Sequence, residues 1–376
     1  MTSSQLHIDL SALSDNYRTL HSLTGQTTKT AAAVKADGYG LGMEAVSSAL
    51  YKAGCAIFFT AQIDEAISLR AVFRNKGYDG AAIAVLEGLR GEDLALYDAH
   101  RLTPVINHSG QAEAITAYQR QSGKHLPAIL HIDTGMNRLG FGQDSHYLLT
   151  SENNPLKELK LCLVMSHLAC ADEPENDYNA FQLEQFQQLT APFAGIPRSL
   201  CNSGGIFLPP SYHFDLTRPG IALYGAMPDP ATDNKYLKPV VSWHADIVQI
   251  RNLKKGECAG YGAMFTADAP IRLATIATGY ADGYARALYQ PQHNKIATVE
   301  IAGKIVPLAG RVSMDLLIAD VTSLSDAELQ SADKACLLGS HYGLHEMAAD
   351  RNTISYEVLT GLGDRLTRLY DGADAS

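Results

Sequence analysis

The segment 34–40, with the sequence VKADGYG, places a lysine directly before a glycine-rich turn. The apolar run 31–34 predicts a buried strand, and the pattern that begins at Gly42 predicts an amphipathic helix. Lys35 would then stand at the carboxyl end of a strand with apolar surroundings. Burial disfavours the charged ammonium, so such a lysine can be a nucleophile or a base and can hold an aldehyde as a Schiff base. The alternative is an ordinary exposed lysine in a turn.

Four further polar or glycine-rich clusters each follow an apolar segment of the chain. They are 133–138 (DTGMNR), His167, 202–205 (NSGG) and 218–220 (RPG). Each also has a purely structural reading, as a turn, a half-buried histidine, a helix entry or a surface ion pair. Their common position is more informative than any one of them. The carboxyl ends of parallel strands in a barrel meet at one rim, so the clusters and Lys35 would converge there.

Two of these clusters suit a phosphate group. In a barrel of eight strands, the loops after the seventh and eighth strands are the usual phosphate site. Ser203, with the amides of Gly204 and Gly205, and the amides of Gly220 and Ile221 could surround a dianion. A lysine able to form a Schiff base and a phosphate cradle in one barrel mouth would suit pyridoxal 5′-phosphate.

Strand-like and helix-like segments alternate through the first part of the chain, which predicts an α/β architecture with a parallel sheet. The predicted strands are 31–34, 57–60, 81–86, 104–106, 128–133, 161–166, 199–202 and 214–217. The predicted helices include 64–73, 92–99, 111–120 and 178–193. Eight strands favour an N-terminal (β/α)8 TIM-type barrel, with a doubly wound open sheet as the alternative.

The pattern changes near residue 227, where 227–234 (MPDPATDN) has the composition of a linker. Mostly strand-like segments separated by glycine-containing turns follow it, and 356–369 is predicted to be helical or irregular. We therefore predict a barrel over 1–230 that binds pyridoxal phosphate and a smaller, mostly-β C-terminal domain over 231–376. Residues 1–10 alternate like a strand, which leaves open a pairing of this segment with the β domain.

Composition excludes several classes of protein. The 376 residues are 46% hydrophobic with a net charge of −10, which argues against a nucleic-acid partner and against disorder. The six cysteines form no CxxC pair, so we predict reduced thiols in a cytoplasmic protein and no metal site. The N-terminus has no secretory signal pattern, and no apolar run approaches the ~20 residues that span a bilayer.

Eight motifs in one order resemble those of bacterial alanine racemase, a fold-type III enzyme that uses pyridoxal phosphate. They cover nearly the whole chain: AVKADGYG (33–40), DTGMNRLG (133–140), NSGG (202–205), RPGIALYG (218–225), GYGAMF (260–265), GYADGY (279–284), GRVSMD (310–315) and YEVL (356–359). The resemblance implies an isomerase that interconverts L-alanine and D-alanine. It also implies a homodimer in which the β domain of one chain completes the barrel mouth of its partner.

The same resemblance implies a role for each matching residue. Lys35 would hold the cofactor and act as one base, and Tyr261 of the partner chain would act as the second base on the opposite face of the substrate. The phosphate would be held by Tyr39, Ser203, Gly220, Ile221 and Tyr356. Arg218 would face the pyridine nitrogen, with His167 behind it. Arg138 and the backbone amide of Met314, again from the partner, would meet the substrate carboxylate. Tyr280 and Tyr356 would narrow the substrate entrance.

The chain departs from the family pattern at three places. Many members carry at position 131 a lysine that becomes carbamylated and orients the arginine matching Arg138, whereas this chain has His131. An anion, a water or the imidazole itself would have to take over that task. Ser313 stands where some members have cysteine, and 365–368 (RLTR) lacks the usual Val-Pro. None of these changes removes a catalytic group.

The product could serve peptidoglycan synthesis, or the enzyme could degrade D-alanine, and both roles stay open. A racemase of broader specificity is the nearest alternative, because a small apolar pocket rejects the added hydroxyl of serine poorly. A fold-type III decarboxylase would need an acidic specificity site for a cationic substrate. A non-enzymatic carrier of pyridoxal phosphate would not need residues 240–376.

Overall fold

The computed structural model describes residues 3–90, 94–151, 156–229, 236–293 and 295–372. Its chain divides into two compact units: a barrel unit, Leu13–Lys238, and a β unit, made of Met1–Ala12 together with Pro239–Ser376. The division thus falls at 238/239, whereas the sequence predicted 230/231. Residues 230–234 of the predicted linker, and Glu92 and Asp93 of the predicted helix 92–99, lie outside the described residues.

The chain begins with β1 (Ser4–Asp9), which belongs to the β unit, and with α1 (Leu10–Leu23). The strands that follow in the barrel unit are short and mostly buried: β2 (Lys29–Thr30), β3 (Ala32–Ala33), β4 (Ile57–Thr60), β5 (Ala82–Val85), β6 (Leu102–Ile106), β7 (Pro127–His131), β8 (Lys160–Met165), β9 (Arg198–Ser199) and β10 (Leu216–Thr217). Its helices are α2 (Lys35–Tyr39), α3 (Met43–Lys52), α4 (Ile63–Asn75), α5 (Leu94–Ala99), α6 (Ser109–Ser122) and α7 (Tyr178–Thr190).

These strands close into a barrel. Strands β3 to β9 form a seven-stranded parallel sheet in sequence order, and β10 pairs in parallel with β2. The amides of Asp215 and Arg218 donate to the carbonyls of Arg198 and Cys201, at 3.0 and 2.9 Å, and so join β10 to β9. Because β2 and β3 are one strand interrupted at Ala31, the barrel has eight strands. The (β/α)8 prediction is confirmed, and the open sheet is excluded.

The barrel interior is filled by side chains from successive strands. Its core combines large and small residues: Ala31, Phe59, Ala84, Val105, Ile129, Leu163, Met165 and Leu216. All of them are at least nine-tenths buried. Large side chains such as Phe59 fit because alanines at 31 and 84 leave room for them, as interdigitating layers in a closed barrel require.

The β unit contains one large sheet with smaller hairpins beside it. Its further strands are β11 (Val241–Leu253), β12 (Cys258–Ala259), β13 (Phe265–Thr266), β14 (Ile271–Ile276), β15 (Tyr289–Gln290), β16 (Lys295–Ile296), β17 (Thr298–Ile301), β18 (Lys304–Pro307), β19 (Leu317–Asp320), β20 (Lys334–Leu338) and β21 (Thr367–Asp371). Its helices are α8 (Asp326–Ser331), α9 (Leu344–Arg351) and α10 (Ser355–Thr360). The mostly-β prediction for this part is confirmed. The segment 356–369 differs from its prediction, because it passes from α10 into the strand β21.

Strand β1 lies inside the large sheet, between β11 and β21, which are both distant from it in sequence. It pairs antiparallel with β11 and parallel with β21. Leu6 and Ile8 of β1 are fully buried, and the indole N–H of Trp243 donates to Ser4 Oγ at 2.7 Å. The alternating pattern of residues 4–9 therefore marks a strand with one face on the core of the β unit. Within the described ranges, no helix combines the length and apolarity needed to cross a membrane.

The barrel core yields a prediction on stability. Replacing Phe59 by alanine should lower the free energy of unfolding by about 3–5 kcal/mol, because the closed barrel cannot collapse around the cavity. Leu96→Ala, on the exposed face of α5 in the same unit, is the matched control and should change it by about 0.5 kcal/mol or less. Urea titration followed by circular dichroism measures both. A similar small change in the two variants would contradict the interior position of Phe59.

Candidate active site

Lys35 lies two residues beyond β3, at the carboxyl end of the first barrel strand, and is half-buried there. Burial lowers the pKa of its amine, the positive charge of Arg138 lowers it further, and the carboxylate of Glu65 opposes both effects. The neutral, nucleophilic form of this amine is therefore more accessible than in an exposed lysine.

The turn after Lys35 is left-handed. The φ angles are 53° at Ala36, 53° at Asp37, 63° at Gly38, 57° at Tyr39 and 80° at Gly40. Left-handed helical backbone costs roughly 1–2 kcal/mol for each residue with a Cβ, so it rarely extends beyond single residues. Within the turn, the amides of Gly38 and Gly40 donate to the carbonyls of Val34 and Ala36 at 2.9 and 2.8 Å. Contacts from outside the turn must supply the rest of its stabilisation.

Arg218 lies fully inside the barrel mouth, and no carboxylate of the described residues pairs with it. Its guanidinium donates to Ser199 Oγ and to the carbonyl of Ser166, and Nη2 lies 3.5 Å from His167 Nδ1. Burial lowers the pKa of Arg218 to about 10, so it still carries its charge at neutral pH. Burial, followed by the charge of Arg218, holds the pKa of His167 well below its ordinary value. His167 is therefore neutral, and its Nδ1 can accept from Arg218.

His131 occupies a buried position at the end of β7. Its Nδ1 lies 2.8 Å from Asn107 Oδ1. The amide nitrogen of Asn107 donates to the carbonyls of Leu86 and Val105 at 3.1 and 3.3 Å, which fixes the Asn107 oxygen as the acceptor. His131 must therefore carry its proton on Nδ1, with Nε2 left as an acceptor.

The charge state of His131 bears on what could orient Arg138. Burial lowers the pKa of His131 to about 4, and the charge of Arg218 adds to the effect, so the imidazole is neutral at physiological pH. The Arg138 side chain is exposed and bonds to none of the described residues. Position 131 thus offers a neutral acceptor and no negative charge.

The loops after β9 and β10 form a small cradle. Ser203 Oγ accepts from the amides of Gly220 and Ala222, at 2.8 and 3.3 Å, so the Gly220 amide is already engaged by the serine. A Cβ on Gly220 would lie 2.1 Å from Tyr39 Oη, so only glycine lets this hydroxyl lie against the loop. The Ile221 amide donates to none of the described residues. The cradle therefore presents hydroxyl and amide donors next to one another.

This arrangement fits pyridoxal phosphate. The barrel mouth combines a buried guanidinium that has no carboxylate partner among the described residues, a second guanidinium on Arg138 and a lysine whose pKa is lowered. It also contains the cradle of hydroxyl and amide donors beside Gly220, where no Cβ could be accommodated. Such a site calls for an anion, and the lysine amine calls for an aldehyde.

The remaining predicted site residues all belong to the β unit, and all four side chains are exposed there: Tyr261 (71%), Tyr280 (44%), Met314 (53%) and Tyr356 (37%). The structure brings two of them together. The amides of Tyr280 and Ala281 donate to the carbonyls of Ser313 and Met314, both at 3.0 Å. Tyr261 stands in a short 3-10 helix, Tyr261–Ala263, and Tyr356 in α10.

A salt-bridge network in the β unit was not foreseen from the sequence. Arg365 binds Asp282, which is almost fully buried, through Nε at 2.9 Å, and binds Asp315 through Nη1 at 2.9 Å. Asp282 also accepts from the Gly279 amide at 3.0 Å. Arg365 thus connects the turn that carries Tyr280 with the turn that carries Met314. The partners are 50 and 83 residues from Arg365, so no local pattern reports them.

Two protein-family models match the chain. The model described as alanine racemase, N-terminal domain, matches residues 8–228, and the model described as alanine racemase, C-terminal domain, matches residues 240–370. A protein named catabolic alanine racemase, from Agrobacterium fabrum, is 44% identical over 98% of this chain and 92% of its own length. An alanine racemase from Rhizobium meliloti is 41% identical over 98% of this chain and 97% of its own length.

Solved structures resemble the chain over its full length. Alanine racemase from Bartonella henselae with covalently bound pyridoxal phosphate superimposes with a TM-score of 0.91 at 36% identity, covering 99% of this chain and 100% of that chain. Biosynthetic alanine racemase from Pseudomonas aeruginosa superimposes with a TM-score of 0.85 at 34% identity, with the same coverage.

The buried His131 makes stability depend on pH. Its folded-state pKa of about 4 lies below the ordinary value of 6.5, so the unfolded chain takes up the proton first as the pH falls. The resulting stability is complete above about pH 6.5 and is lost toward pH 4. Between about pH 7 and about pH 5, His131 alone should reduce the free energy of unfolding by about 2 kcal/mol.

Urea titrations of the cofactor-free protein at the two pH values test this expectation. The His131→Asn variant should lose less stability on acidification than the unmodified chain, while the contribution of His167 persists in both. An identical loss in the two proteins would mean that His131 is not held in its neutral form by the fold.

Proposed function

The chain belongs to the alanine racemase family and is an amino-acid racemase, and from this premise we propose that it interconverts L-alanine and D-alanine with two bases, Lys35 and Tyr261. Pyridoxal 5′-phosphate would be held on the Lys35 amine as a Schiff base. The observation that carries the proposal is the state of Lys35, whose pKa is lowered by burial and by Arg138 at the carboxyl end of a barrel strand.

The residues of the cradle and of the barrel mouth would hold the cofactor. Tyr39, Ser203, Gly220, Ile221 and Tyr356 would surround its phosphate. Support comes from the Ile221 amide, which has no partner among the described residues, and from the hydroxyls beside Gly220. When bound, pyridoxal phosphate withdraws electrons from the α-carbon of the amino acid and so makes its proton removable.

Arg218 would lie against the pyridine nitrogen. Its charge persists at neutral pH, and a guanidinium has no lone pair with which to accept a proton. It would therefore leave that nitrogen unprotonated, as a carboxylate would not. His167, which is neutral, would keep the Arg218 guanidinium in place through Nδ1.

The remaining side chains would handle the substrate. Lys35 would exchange the α-proton on one face, and Tyr261 on the other, since two opposed bases can invert the centre with little motion. Arg138 and the Met314 amide would bind the carboxylate, and Tyr280 and Tyr356 would narrow the entrance. The exposure of the β-unit residues, 71% for Tyr261, suits groups that complete another chain's barrel mouth.

We propose a homodimer in which Tyr261 and Met314 come from the partner chain. The reduced cysteines, six free thiols, fit a cytoplasmic location. The D-alanine made could supply peptidoglycan, or the reaction could feed D-alanine into catabolism. The match of residues 240–370 to the C-terminal domain model disfavours a carrier that consists of the barrel alone.

Hydrogen exchange in D2O tests the two-base reaction. With L-alanine and pyridoxal phosphate, the protein should exchange the α-proton of alanine for deuterium from the solvent. Over the same period, the circular dichroism signal of alanine should decay to zero. Tyr261→Phe should slow the decay by about 10²–10⁴-fold, because the variant has no side chain to deliver a proton on one face. Tyr147→Phe, an exposed tyrosine of the barrel unit, is the control and should match the unmodified protein. Exchange with full loss of optical activity in Tyr261→Phe would show that this residue is not a base.

Mixing two inactive variants tests the shared site. Lys35→Ala and Tyr261→Phe chains should each be inactive alone. After joint unfolding and refolding, random pairing makes half of the dimers mixed, and each mixed dimer has one intact site of two. About one quarter of the unmodified activity should therefore return. If Lys35 and Tyr261 acted within one chain, the mixture would stay inactive.

A further inference from the structure

The carboxylate of Glu65 connects two neighbouring loops of the barrel mouth. Glu65 Oε1 accepts from the amide of Ala36, directly after Lys35, at 2.6 Å. Glu65 Oε2 accepts from the amides of Ala61 and Gln62, at 2.8 and 3.2 Å, where the chain passes from β4 into α4. One carboxylate thus bonds to the backbone after the first strand and to the backbone after the second.

The bond from Glu65 engages the Ala36 amide, which stands at the start of the left-handed turn. The first amides of any helical turn have no acceptor inside it. Ala36 has a φ of 53°, so its conformation is strained as well as uncapped from within. A carboxylate is a stronger acceptor for such an amide than a neutral carbonyl. Glu65 therefore supplies stabilisation that the turn cannot supply itself.

Glu65 also acts on Lys35 through its charge. Burial and Arg138 both lower the pKa of the Lys35 amine, whereas Glu65 raises it. Asp37 belongs to the same turn, but its Oδ1 accepts from the amide of Met43 at 2.8 Å, on the side of the turn that leads into α3. Asp37 is therefore engaged at the α3 end of the turn, and Glu65 is the carboxylate that raises the pKa of the Lys35 amine.

We propose that Glu65 is a positioning residue for Lys35. Its carboxylate holds the left-handed turn on which Lys35 stands and offsets the neighbouring guanidinium of Arg138. The inference rests on the proposed function in one respect, namely that Lys35 is the amine that holds the cofactor and moves the proton. The contacts of Glu65 do not depend on that assignment.

The test compares three variants of the full chain. Glu65→Gln removes the charge but keeps one acceptor oxygen, and Glu65→Asp keeps the charge but shortens the side chain by one methylene. Asp64→Asn removes a charge from the same turn of α4 and is the matched control, since the Asp64 carboxylate bonds to none of the described residues. Melting followed by circular dichroism establishes that each variant is folded.

Two readouts are then taken. In the cofactor-free chain, trace acetylation of Lys35 by acetic anhydride is followed by peptide mass spectrometry across a range of pH. The midpoint should move to lower pH in Glu65→Gln and stay in place in Asp64→Asn, because Glu65 raises the pKa of this amine and Asp64 is not among the causes of its shift. In the protein loaded with pyridoxal phosphate, kcat/KM for alanine should fall about tenfold in Glu65→Gln and Glu65→Asp, and not in Asp64→Asn.

The outcomes separate this inference from the proposed function. An unchanged labelling midpoint and an unchanged kcat/KM in Glu65→Gln would overturn the role of Glu65. If the unmodified protein does not racemise alanine but the labelling midpoint still moves, the proposed function fails and the role of Glu65 stands. If Glu65→Gln does not fold, Glu65→Asp decides, because unmodified kinetics in that variant would refute positioning.

Discussion

The barrel mouth depends on one electrostatic constraint: an amine has to lose its charge easily beside guanidinium groups that keep theirs. Arg138 lowers the pKa of Lys35, and Arg218 lowers the pKa of both His131 and His167. Burial is the larger cause of all three shifts, and the two arginines add to it, so that three neighbouring basic groups favour their neutral forms. A carboxylate in contact with Arg218 would weaken this field, and none of the described residues provides one. The same excess of positive charge suits an anionic cofactor, whose phosphate would supply the missing counter-charge.

The groups of the barrel mouth come from the carboxyl ends of several different strands, and not from a single helix or strand. Lys35 follows β3, His131 ends β7, His167 follows β8, and the cradle residues follow β9 and β10. Closure of the sheet through β10 and β2 brings the first and last of these loops together, and the glycine at 220 lets Tyr39 approach. The left-handed turn after Lys35 has positive φ angles at five successive residues, and its Ala36 amide donates to Glu65, in the first turn of α4.

The sequence was sufficient to predict the order of the barrel strands and the polar groups that follow them. The first residue of each predicted barrel strand lies within two residues of the first residue of an observed strand. A short apolar segment flanked by glycine and polar residues indicates a buried strand without knowledge of its partners. The partners of these groups could not be predicted. Asn107 meets His131 across 24 positions, and Glu65 meets Ala36 across 29, so neither contact leaves a periodic signal. The strand β21 was missed because residues 367–371 are only half-buried and do not alternate clearly.

The position of β1 constrains the order in which the protein can fold during its synthesis. The barrel unit is continuous from Leu13 to Lys238 and can be completed while the rest of the chain is still being translated. Strand β1 leaves the ribosome before the barrel unit, yet its partners are β11 and β21, and the latter spans Thr367–Asp371. Strand β1 must therefore wait until β11, and after it β21, have been made before both of its edges are paired. The β unit, and with it any surface that it offers to a second chain, is finished only after β21 has left the ribosome.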